Sequence, residues 1–410
     1  MINTILKRDV FDQIEKYLGT ENIIVLHGSR QVGKSHILYF LDNYLKEKGE
    51  LSKYIDLEDS RLLDVLENGV DAFLTYLKGE GFDFDKFIST NRKLYVLIDE
   101  IQYLTSPSPF LKLLIDHHQY IQLVVSGSSS FSIKSKFSDS LVGRTVNFEI
   151  YPLTFKEFLR FKHIVYTPKQ NTSPVHIAQL QVLYREFMSF GGYPKIVLED
   201  SIERKEKYLL QIVDTYIRKD ISDLARINDI PKFNNLLKVI ASQSGQLLNI
   251  AQLSNTCNLA SNTIKHYLFI LENTYIIKLV TPFSLSPKVE VAKTPKIFFF
   301  DTGLLQMLWL KKLQTENVGN VFETSIYSEL IKSHRVSNVS FWRNKNQNEI
   351  DFILQTKERI MPIEAKFNFD QFKKSKINPF LLKYKVGSYK VVGLIGDKES
   401  ANYVFPWELT

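Results

Sequence analysis

The sequence contains a single cysteine, Cys257, among 410 residues. One thiol cannot form a disulfide within its own chain, so the class of small secreted proteins held together by disulfides is excluded. Scarce cysteine is also typical of proteins that function in a reducing compartment. We therefore expect a cytoplasmic protein.

Long apolar runs are missing as well. The longest candidate, HYLFILENTYIIKLV at 266–280, is interrupted by Glu272 and Asn273 and is shorter than the ~20 residues that span a bilayer. Residues 1–18 have the pattern of an amphipathic helix with charges throughout, without the apolar core of a secretory signal. The sequence thus predicts neither export nor a membrane partner.

Internal repeats and low-complexity segments are absent too. With 44% hydrophobic and 24% charged residues, the composition is that of a folded globular protein. A domain has about 100 to 200 residues, so the length of the chain predicts roughly two to four domains.

Positive charge is concentrated near the C-terminus. The net charge is +7, and residues 311–410 contain 16 Lys and Arg against 11 Asp and Glu, a local surplus of 5. Such an asymmetry favours an anionic partner for the last quarter of the chain. The alternative for its basic run KKSK, at 373–376, is an ordinary solvated surface.

The motif GxxxxGK[ST] lies between the apolar run IIVL and the helical pattern HILYFLDNYLKEK. A strand before it and a helix after it are the context in which this motif binds a nucleoside triphosphate. Backbone amides and the helix N-terminus attract phosphates, and the motif lysine reaches the outer ones. The two flanks together disfavour the alternative, a chance glycine turn. We predict that ATP binds to Gly28, Ser29, Arg30, Gln31, Val32, Gly33, Lys34, Ser35 and His36.

A second apolar run, KLYVLIDE at 93–100, ends in two acidic residues and predicts a buried parallel strand. Open α/β sheets bind ligands at the carboxyl ends of their strands, where these acids lie. We predict that Asp99 and Ser35 hold Mg²⁺, and that the catalytic residue Glu100 orients or deprotonates the attacking water. The alternative for such an acidic pair is a simple strand cap.

Two further strands, at 121–130 and 144–153, fit the same sheet. Ser128 is at the end of the first of them and is a candidate catalytic sensor of the γ-phosphate; its alternative is the turn chemistry of GSSS. Arg144 is a candidate catalytic arginine that stabilises transition-state charge, in its own chain or in a second copy. Its alternative is a surface salt bridge.

The motifs HGSRQVGKS, LIDEIQ, SGSSS, LVGR and YPLTFKEFL occur in this order within residues 20–160. Here the sequence resembles the AAA-type ATPases of bacteria and archaea that carry a C-terminal domain of unknown function, numbered 4143. The resemblance continues through GGYPKIV, YIRKDI and KIFFFDTGL, and so covers nearly the whole chain. It implies an α/β multidomain fold: a P-loop parallel sheet with an additional strand and helices on both faces, a helical connector, a winged helix and a C-terminal α/β restriction-endonuclease-like domain.

The middle of the chain carries helical patterns from about 176 to 240, after the polar stretch VYTPKQNTSPVH. Residues 247–300 then suit a helix-turn-helix, with its second helix capped by Ser261, followed by the strands of a wing. This pattern suggests DNA binding. Lys265 and His266 favour phosphate contact and Glu272 opposes it, so internal packing or a protein contact stays open.

The C-terminal part contains a second candidate site. Asp351 lies on one predicted strand, and Glu364 and Lys366 lie two positions apart on the next, so they project from one face. With Glu323 on the preceding helix, the arrangement resembles the PD-(D/E)xK nucleases, although EID replaces the literal PD. Two carboxylates suit Mg²⁺, which activates water, and Lys366 steadies developing charge. The alternative is a fold of this type that does not cut.

Further basic residues around this site are predicted to contact phosphates: Arg343, Lys345, Lys373, Lys374 and Lys376. Trp342 either stacks on a base or fills the core, and the core is the simpler interpretation for a lone tryptophan. The predicted domains are 1–165 (ATPase), 176–240 (connector), 241–305 (winged helix) and 315–410 (nuclease-like).

Two functions from different classes fit these observations. The first is an ATP-dependent protein that acts on nucleic acid, with DNA favoured over RNA, and that forms a homo-oligomer if Arg144 acts between copies. The second is a nucleotide-dependent switch or protein-interaction ATPase whose C-terminal domain binds without cutting. A small-molecule kinase has no recognisable acceptor site in this sequence.

Overall fold

The computed structural model describes residues 6–127, 141, 143–167, 173–221, 227, 229–284, 294–314, 319–333, 339–356, 359–398 and 400–409, with the backbone alone at 216 and 218–221. The chain divides into two compact units, residues 1–151 and 152–410.

The first unit is built around a five-stranded parallel sheet. Its strands are β1 (Ile23–Gly28), β2 (Leu51–Asp56), β3 (Leu94–Asp99), β4 (Ile121–Gly127) and β5 (Thr145–Ile150). Their order is β2-β3-β4-β1-β5, and every neighbouring pair is parallel. Strands β1, β3 and β4 are buried along their whole length, as expected for a parallel sheet covered by helices. The predicted P-loop sheet is confirmed, and β4 is its additional strand between β1 and β3.

The helices of this unit supply much of its apolar core. They are α1 (Phe11–Ile14), α2 (Lys34–Glu47), α3 (Ser60–Glu67), α4 (Val70–Gly79), α5 (Phe84–Thr90) and α6 (Pro107–His117). The helix predicted over 1–18 is seen only in part among the described residues 6–18. Of these, Phe11–Ile14 and a following 3₁₀ turn at Glu15–Tyr17 are helical, and Arg8 before them donates to the carbonyl oxygens of Val32 and Tyr151.

The second unit begins with helices, as the periodicity of residues 176–240 predicts. They are α7 (Phe155–Phe161), α8 (Pro174–Phe190), α9 (Pro194–Val197), α10 (Ile202–Gln211), a π-helix (Ile212–Ile221), α11 (Ile230–Ser242), α12 (Ile250–Cys257) and α13 (Ser261–Asn273). The cap predicted for α13 is wrong. Ser261 is the first helical residue, and Ala260 occupies the N-cap without a side-chain hydrogen bond.

A two-stranded antiparallel sheet follows α13. It consists of β6 (Ile277–Val280) and β7 (Lys296–Phe299), paired so that Val280 lies opposite Lys296. The order α11, α12, α13, β6 and β7 is compatible with the predicted winged helix. That assignment stays a prediction.

The chain ends in a five-stranded mixed sheet. Two helices come first, α14 (Thr302–Leu310) and α15 (Gly319–Ser333). The sheet contains β8 (Val339–Arg343), β9 (Glu349–Gln355), β10 (Ile360–Ala365), β11 (Lys390–Val392) and β12 (Tyr403–Val404), with helix α16 (Lys374–Tyr384) between β10 and β11. Neighbours are antiparallel from β8 to β10 and parallel from β10 to β12. Among the residues described, no helix is long and apolar enough to cross a membrane.

Candidate functional sites

The loop between β1 and α2 has the geometry that its motif predicts. Gly33 adopts the left-handed conformation, with φ of 95°, and forms the N-cap of α2 without a side-chain hydrogen bond. The backbone amides at the start of this helix are therefore left for another acceptor. Ser29 is fully buried, and its Oγ has no hydrogen-bond partner within the described ranges. These features suit a phosphate group.

Close packing fixes both ends of the loop. A Cβ atom on Gly28 would lie 2.0 Å from the backbone oxygen of Ile150, so β1 and β5 can approach here only because residue 28 is glycine. Arg8 holds the other end, donating hydrogen bonds of 2.8 Å to the carbonyl oxygens of Val32 and Tyr151. Sequence reasoning missed Arg8, since it lies 24 residues before its loop partner.

Lys34 is folded into this loop. Its Nζ donates to the backbone oxygens of Gly28 at 3.2 Å and Ser29 at 2.9 Å, and the residue is only 4% exposed. Burial lowers the pKa of Lys34 to about 8, although the negative charges of Glu100 and Asp99 act to raise it. An anion bound at the loop would provide the negative charge that this ammonium group lacks.

Asp99 ends β3 at the carboxyl edge of the sheet and is 3% exposed. Tyr54, on β2, donates a hydrogen bond of 2.9 Å to its Oδ2. Ser126, on β4, donates to its Oδ1 and accepts a hydrogen bond of 3.2 Å from the amide of Glu100. Two neighbouring strands therefore fix the carboxylate in one orientation. Sequence reasoning selected Ser128 of SGSSS and missed Ser126, the buried serine two positions earlier.

Glu100 follows Asp99 in the left-handed backbone conformation, with φ of 55°. Such a conformation is uncommon for a residue other than glycine and is found where the surrounding structure enforces it. Burial raises the pKa of Glu100, and the side-chain amide of Gln102 donates to its Oε2. A carboxyl group with a raised pKa, close to Lys34, suits the predicted general base.

Of the other two predicted catalytic residues, Ser128 lies outside the described residues. Arg144 immediately precedes β5, and its carbonyl oxygen accepts from the amide of Ile23, at the amino end of β1. Because β1 and β5 are parallel, Arg144 is at the edge of the sheet opposite the P-loop of its own chain. There its Nε lies 3.1 Å from Oδ1 of Asp116, a salt bridge that agrees with the structural interpretation of this arginine.

The C-terminal residues selected from the sequence do converge. Asp351 on β9 and Glu364 on β10 occupy neighbouring strands, and both are buried. The Nζ of Lys366 lies 2.8 Å from Oδ2 of Asp351 and 2.8 Å from Oε2 of Glu364. The amide of Ala365 donates to the same oxygen of Asp351 at 2.9 Å. The structure thus brings these three side chains together, and their role as a metal site stays a prediction.

Glu323, on α15, belongs to the same cluster and pairs with a residue to which the sequence analysis assigns no role. Lys296, the first residue of β7, places its Nζ 3.1 Å from Oε1 of Glu323 and 2.6 Å from Oε1 of Glu349. Burial and repulsion from Asp351 raise the pKa of Glu323 to about 7 in spite of this lysine. Lys296 was missed because it comes from a segment more than 20 residues before Glu323.

The cluster fits a cation only in part. Burial and repulsion from Asp351 raise the pKa of Glu364 to about 8, and its Oε1 is buried without a hydrogen-bond partner in the described part of the chain. Lys366 and Lys296 nevertheless hold the pKa of Asp351 below its usual value, despite its burial. Within the described ranges, no three His, Cys, Asp or Glu side chains are grouped so that they could hold a metal ion.

A basic groove adjoins this cluster. It has a volume of about 510 Å³ and is lined by Phe283, Ser284, Trp342, Arg343, Asn344, Lys345, Asn346, Lys383 and Tyr384. Three of these residues are cations and none is acidic. The structure also decides the alternatives for Trp342, which is 4% exposed and packs edge-on against Phe380, as a core residue does. The predicted phosphate contacts Lys373, Lys374 and Lys376 are exposed at the start of α16.

On α13, Lys265 and His266 are exposed, as a nucleic-acid contact would require. Glu272 is not a free charge on this helix, because Lys278 of β6 forms an ion pair with it at 2.7 Å. Glu272 therefore opposes phosphate binding less than an unpaired carboxylate would. Phe269 on the same helix is 53% exposed, which suits a protein contact equally well.

Three models of protein families match consecutive parts of the chain. They are an AAA domain at residues 20–159, a domain of unknown function (DUF8612) at 181–317 and a domain of unknown function (DUF4143) at 318–405. The first match contains the P-loop and Asp99, and the last contains Glu323, Asp351 and Glu364. The predicted combination of an AAA-type ATPase domain with the C-terminal domain 4143 is confirmed.

Relatives over most of the length are uncharacterized proteins. One from Haemophilus influenzae is 27% identical over 377 residues, which cover 90% of this chain and 88% of the relative. One from Methanocaldococcus jannaschii is 27% identical over 348 residues, covering 83% and 74%.

Similar solved structures include AMPPCP-bound DnaA from Aquifex aeolicus, with 16% identity, a TM-score of 0.29 and coverage of 65% of this chain and 89% of that one. The replication initiator DnaA bound to AMPPCP and single-stranded DNA gives 18% identity, a TM-score of 0.30 and coverage of 66% and 90%.

Proposed function

This chain joins an AAA domain to a C-terminal domain of unknown function 4143, and from this premise we propose that it binds and hydrolyses ATP with Mg²⁺ and uses the nucleotide cycle to act on nucleic acid. The nucleotide state would change the position of the winged helix and the nuclease-like domain. Such a change requires that the two positions interact differently with the nucleotide.

The observation that supports ATP binding is the set of contacts around Lys34. The buried ammonium group of Lys34 donates to the carbonyl oxygens of Gly28 and Ser29, and its pKa is lowered by burial in spite of Glu100 and Asp99. A polyphosphate would add the negative charge that favours its protonated form. The free amides at the start of α2 and the unpartnered Oγ of Ser29 would bind the phosphate oxygens.

Hydrolysis would use the acids at the end of β3. Ser35 and Asp99 would hold Mg²⁺, which when bound draws charge from the phosphate oxygens. Tyr54 and Ser126 keep Asp99 oriented for this role. Glu100 would orient the attacking water and accept its proton, and its raised pKa makes it a stronger base than an exposed glutamate. Ser128 remains a candidate sensor.

Action on nucleic acid is supported by the C-terminal cluster and the groove beside it. Asp351, Glu364 and Lys366 form a compact set at the end of two strands, and Arg343 connects the groove to this cluster through Glu349, at 3.7 Å. A strand bound along Arg343, Lys345 and Lys383 would pass close to the carboxylates. Tyr384 adds an aromatic surface on which a base can stack.

A metal-dependent nuclease assay tests this proposal. Wild type, Asp351→Ala and Lys34→Ala are compared on single- and double-stranded DNA and on RNA, with Mg²⁺ and with or without ATP. Cleavage by the wild type that is lost in Asp351→Ala supports the nuclease function. Loss of cleavage in Lys34→Ala as well supports the dependence of cleavage on ATP. Absence of cleavage in all samples, with ATP hydrolysis intact, contradicts it.

Binding is measured separately from cleavage. Replacing Lys345 and Lys383 by Ala should weaken binding of a fluorescent oligonucleotide. The slope of the logarithm of the binding constant against the logarithm of the salt concentration should become shallower by about one unit for each phosphate that is no longer neutralised. Lys238→Ala, which removes an exposed lysine of α11, is the matched control and should leave binding unchanged. If Lys238→Ala weakens oligonucleotide binding equally, the groove is not the nucleic-acid binding surface.

One observation favours the second candidate function, a nucleotide-dependent switch whose C-terminal domain binds without cutting. Lys366 already forms ion pairs with both Asp351 and Glu364, and the described residues contain no group of three metal ligands. For that function, Asp351→Ala would leave every catalytic activity unchanged, while oligonucleotide binding would still depend on the groove.

A further inference from the structure

Lys296 is buried inside the C-terminal carboxylate cluster, although it belongs to a different segment of the chain. Its side chain is only 3% exposed, and its Nζ is within 3.1 Å of Glu323 and 2.6 Å of Glu349. The carboxylates lie within the match to the domain of unknown function 4143, whereas Lys296 lies within the preceding match at 181–317. The cluster is therefore incomplete without β7.

The backbone around Lys296 is fixed relative to the cluster. The amide of Gly245 donates to the carbonyl oxygen of Ile297 at 2.7 Å. A Cβ atom on Gly245 would lie 3.0 Å from Oε2 of Glu323, so this glycine lets the loop approach the carboxylate. Next to it, Ser244 Oγ and Thr324 Oγ1 are 2.7 Å apart in a buried hydrogen bond. The ammonium group is thus placed by the fold and not by a flexible surface side chain.

The charges of the cluster show what the lysine does. Glu323, Glu349, Asp351 and Glu364 carry four negative charges when ionised, and two ammonium groups lie among them. Lys366 contacts Asp351 and Glu364, while Lys296 contacts the other two. Each carboxylate is consequently paired with a lysine. Glu323, Glu349 and Lys366 are each 21 to 29% exposed, so the cluster is reachable by an ion from solvent.

We propose that Lys296 is an internal cation of this site, which balances Glu323 and Glu349, and that a divalent metal ion binds to the cluster only in competition with it. This inference rests on the C-terminal part of the proposed function and is independent of ATP hydrolysis. It explains how four carboxylates can lie close together here, because each of them is paired with a lysine. Loss of the lysine would leave the same carboxylates available to Mn²⁺ or Mg²⁺.

The test is a Mn²⁺ titration of the full-length protein without nucleotide, followed by electron paramagnetic resonance of free Mn²⁺. Lys296→Gln should bind Mn²⁺ about tenfold more tightly than wild type, or tighter still, because one repelling charge is removed at contact distance. Lys296→Arg keeps the charge and should resemble wild type. Asp351→Asn, added to Lys296→Gln, should abolish the gain and so locate the ion in this cluster.

Lys278→Gln is the matched control. It removes another lysine that pairs with a glutamate, on the neighbouring strand β6, and it should not change Mn²⁺ affinity. If Lys296→Gln does not fold, Glu323→Gln and the double variant Glu323→Gln/Lys296→Gln are compared, and the double variant should bind more tightly. Unchanged or weaker affinity in a folded Lys296 variant overturns the proposal. Because neither nucleic acid nor ATP is present, this result is separate from success or failure of the proposed function.

Discussion

The hydroxyl of Tyr54 donates a hydrogen bond of 2.9 Å to Oδ2 of Asp99, joining the ends of β2 and β3 at the nucleotide site. Tyr54 touches the predicted metal ligand without being a ligand itself. Its role is to position the carboxylate. The pKa of Tyr54 is raised far above its usual value, mainly by burial, so the phenol stays protonated and remains a donor at every physiological pH.

Tyr54→Phe should slow ATP hydrolysis by about tenfold to a hundredfold, since removing a hydrogen bond to a charged group costs about 1.5 to 3 kcal/mol. ATP binding without Mg²⁺ should change little, because the phosphate contacts belong to the P-loop. Steady-state hydrolysis over a range of Mg²⁺ concentrations measures the effect. Tyr103→Phe, at an exposed tyrosine of the same unit, is the control. Equal rates for wild type and Tyr54→Phe at limiting Mg²⁺ would exclude the positioning role.

Lys34→Met should abolish ATP binding and at the same time stabilise the nucleotide-free protein. The buried ammonium group has its pKa lowered from 10.5 to about 8, so its charged form costs on the order of 3 kcal/mol in the fold. The folded pKa lies below the unfolded one, and wild-type stability should therefore rise as pH increases from about 8 to 10.5. In Lys34→Met this rise should disappear.

Differential scanning calorimetry of the nucleotide-free protein measures both effects. Lys86→Met, at an exposed lysine of α5, is the matched control and should follow the wild-type pH dependence. A lower melting temperature for Lys34→Met at pH 7 would show that the loop does not strain this lysine.

Gly28→Ala should destabilise the first unit and remove ATP binding. The added methyl group would meet the backbone oxygen of Ile150 at 2.0 Å, and backbone cannot move aside as a side chain can. A loss of about 2 kcal/mol or more is typical of such overpacking. Gly79→Ala at the end of α4 is the control, because its methyl group would meet nothing within 4 Å. Similar melting temperatures for the two variants would contradict this account.

Arg144→Ala distinguishes a role between copies from a purely structural salt bridge with Asp116. Since Arg144 lies at the sheet edge opposite its own P-loop, a catalytic role for it requires the nucleotide of a second copy. ATP hydrolysis per chain should then rise with protein concentration in the wild type, and at high concentration Arg144→Ala should be slower by about tenfold or more. Asp116→Ala breaks the same salt bridge and serves as the control. If Arg144→Ala slows ATP hydrolysis equally in dilute, monomeric protein, this arginine does not act between copies.

How far the sequence predicts this structure depends on the distance between contacting residues along the chain. The P-loop, the strands β1, β3 and β4, and the shared face of Glu364 and Lys366 follow from local motifs and from the two-residue period of a strand. Contacts that cross the fold do not appear in such patterns. Tyr54 is 45 residues from Asp99, and Ser126 is 27 residues away, so the local sequence of neither residue shows that it contacts this carboxylate.

Lys296 shows the same limit at the second site. Its local sequence, KIFFF, predicts a buried strand, and a lysine at the start of such a strand is ordinarily expected at the surface. Lys296 can be buried because two glutamates from other elements supply its counter-charges.

The predicted N-cap of α13 was wrong because of backbone conformation. Serine is a good N-cap in general, but the extended backbone that a cap requires falls one residue earlier, at Ala260.

Glu364 makes the stability of the second unit depend on pH. Burial and the nearby charge of Asp351 raise its pKa to about 8, well above the ordinary 4.5 of a glutamate in the unfolded chain. The folded state therefore holds this proton more tightly than the unfolded state. Its stabilising effect should be complete below pH 4.5 and should be lost as pH rises through about 8. Glu364→Gln should remove much of this decrease in stability with rising pH, and the part that is left should come from Glu323.

Unfolding in urea, followed by tryptophan fluorescence between pH 5 and pH 9, isolates this effect. All three tryptophans of the chain, Trp309, Trp342 and Trp407, lie in the second unit, so the signal is free of the nucleotide domain. Glu203→Gln, at an exposed glutamate of α10, should keep the wild-type slope. The variant Glu323→Gln/Glu364→Gln should be nearly independent of pH over this interval. The contradicting result is a free energy of unfolding that increases from pH 5 to pH 8 in both the wild type and Glu203→Gln. It would mean that the lysines compensate the buried carboxylates completely and that Glu364 is ionised throughout.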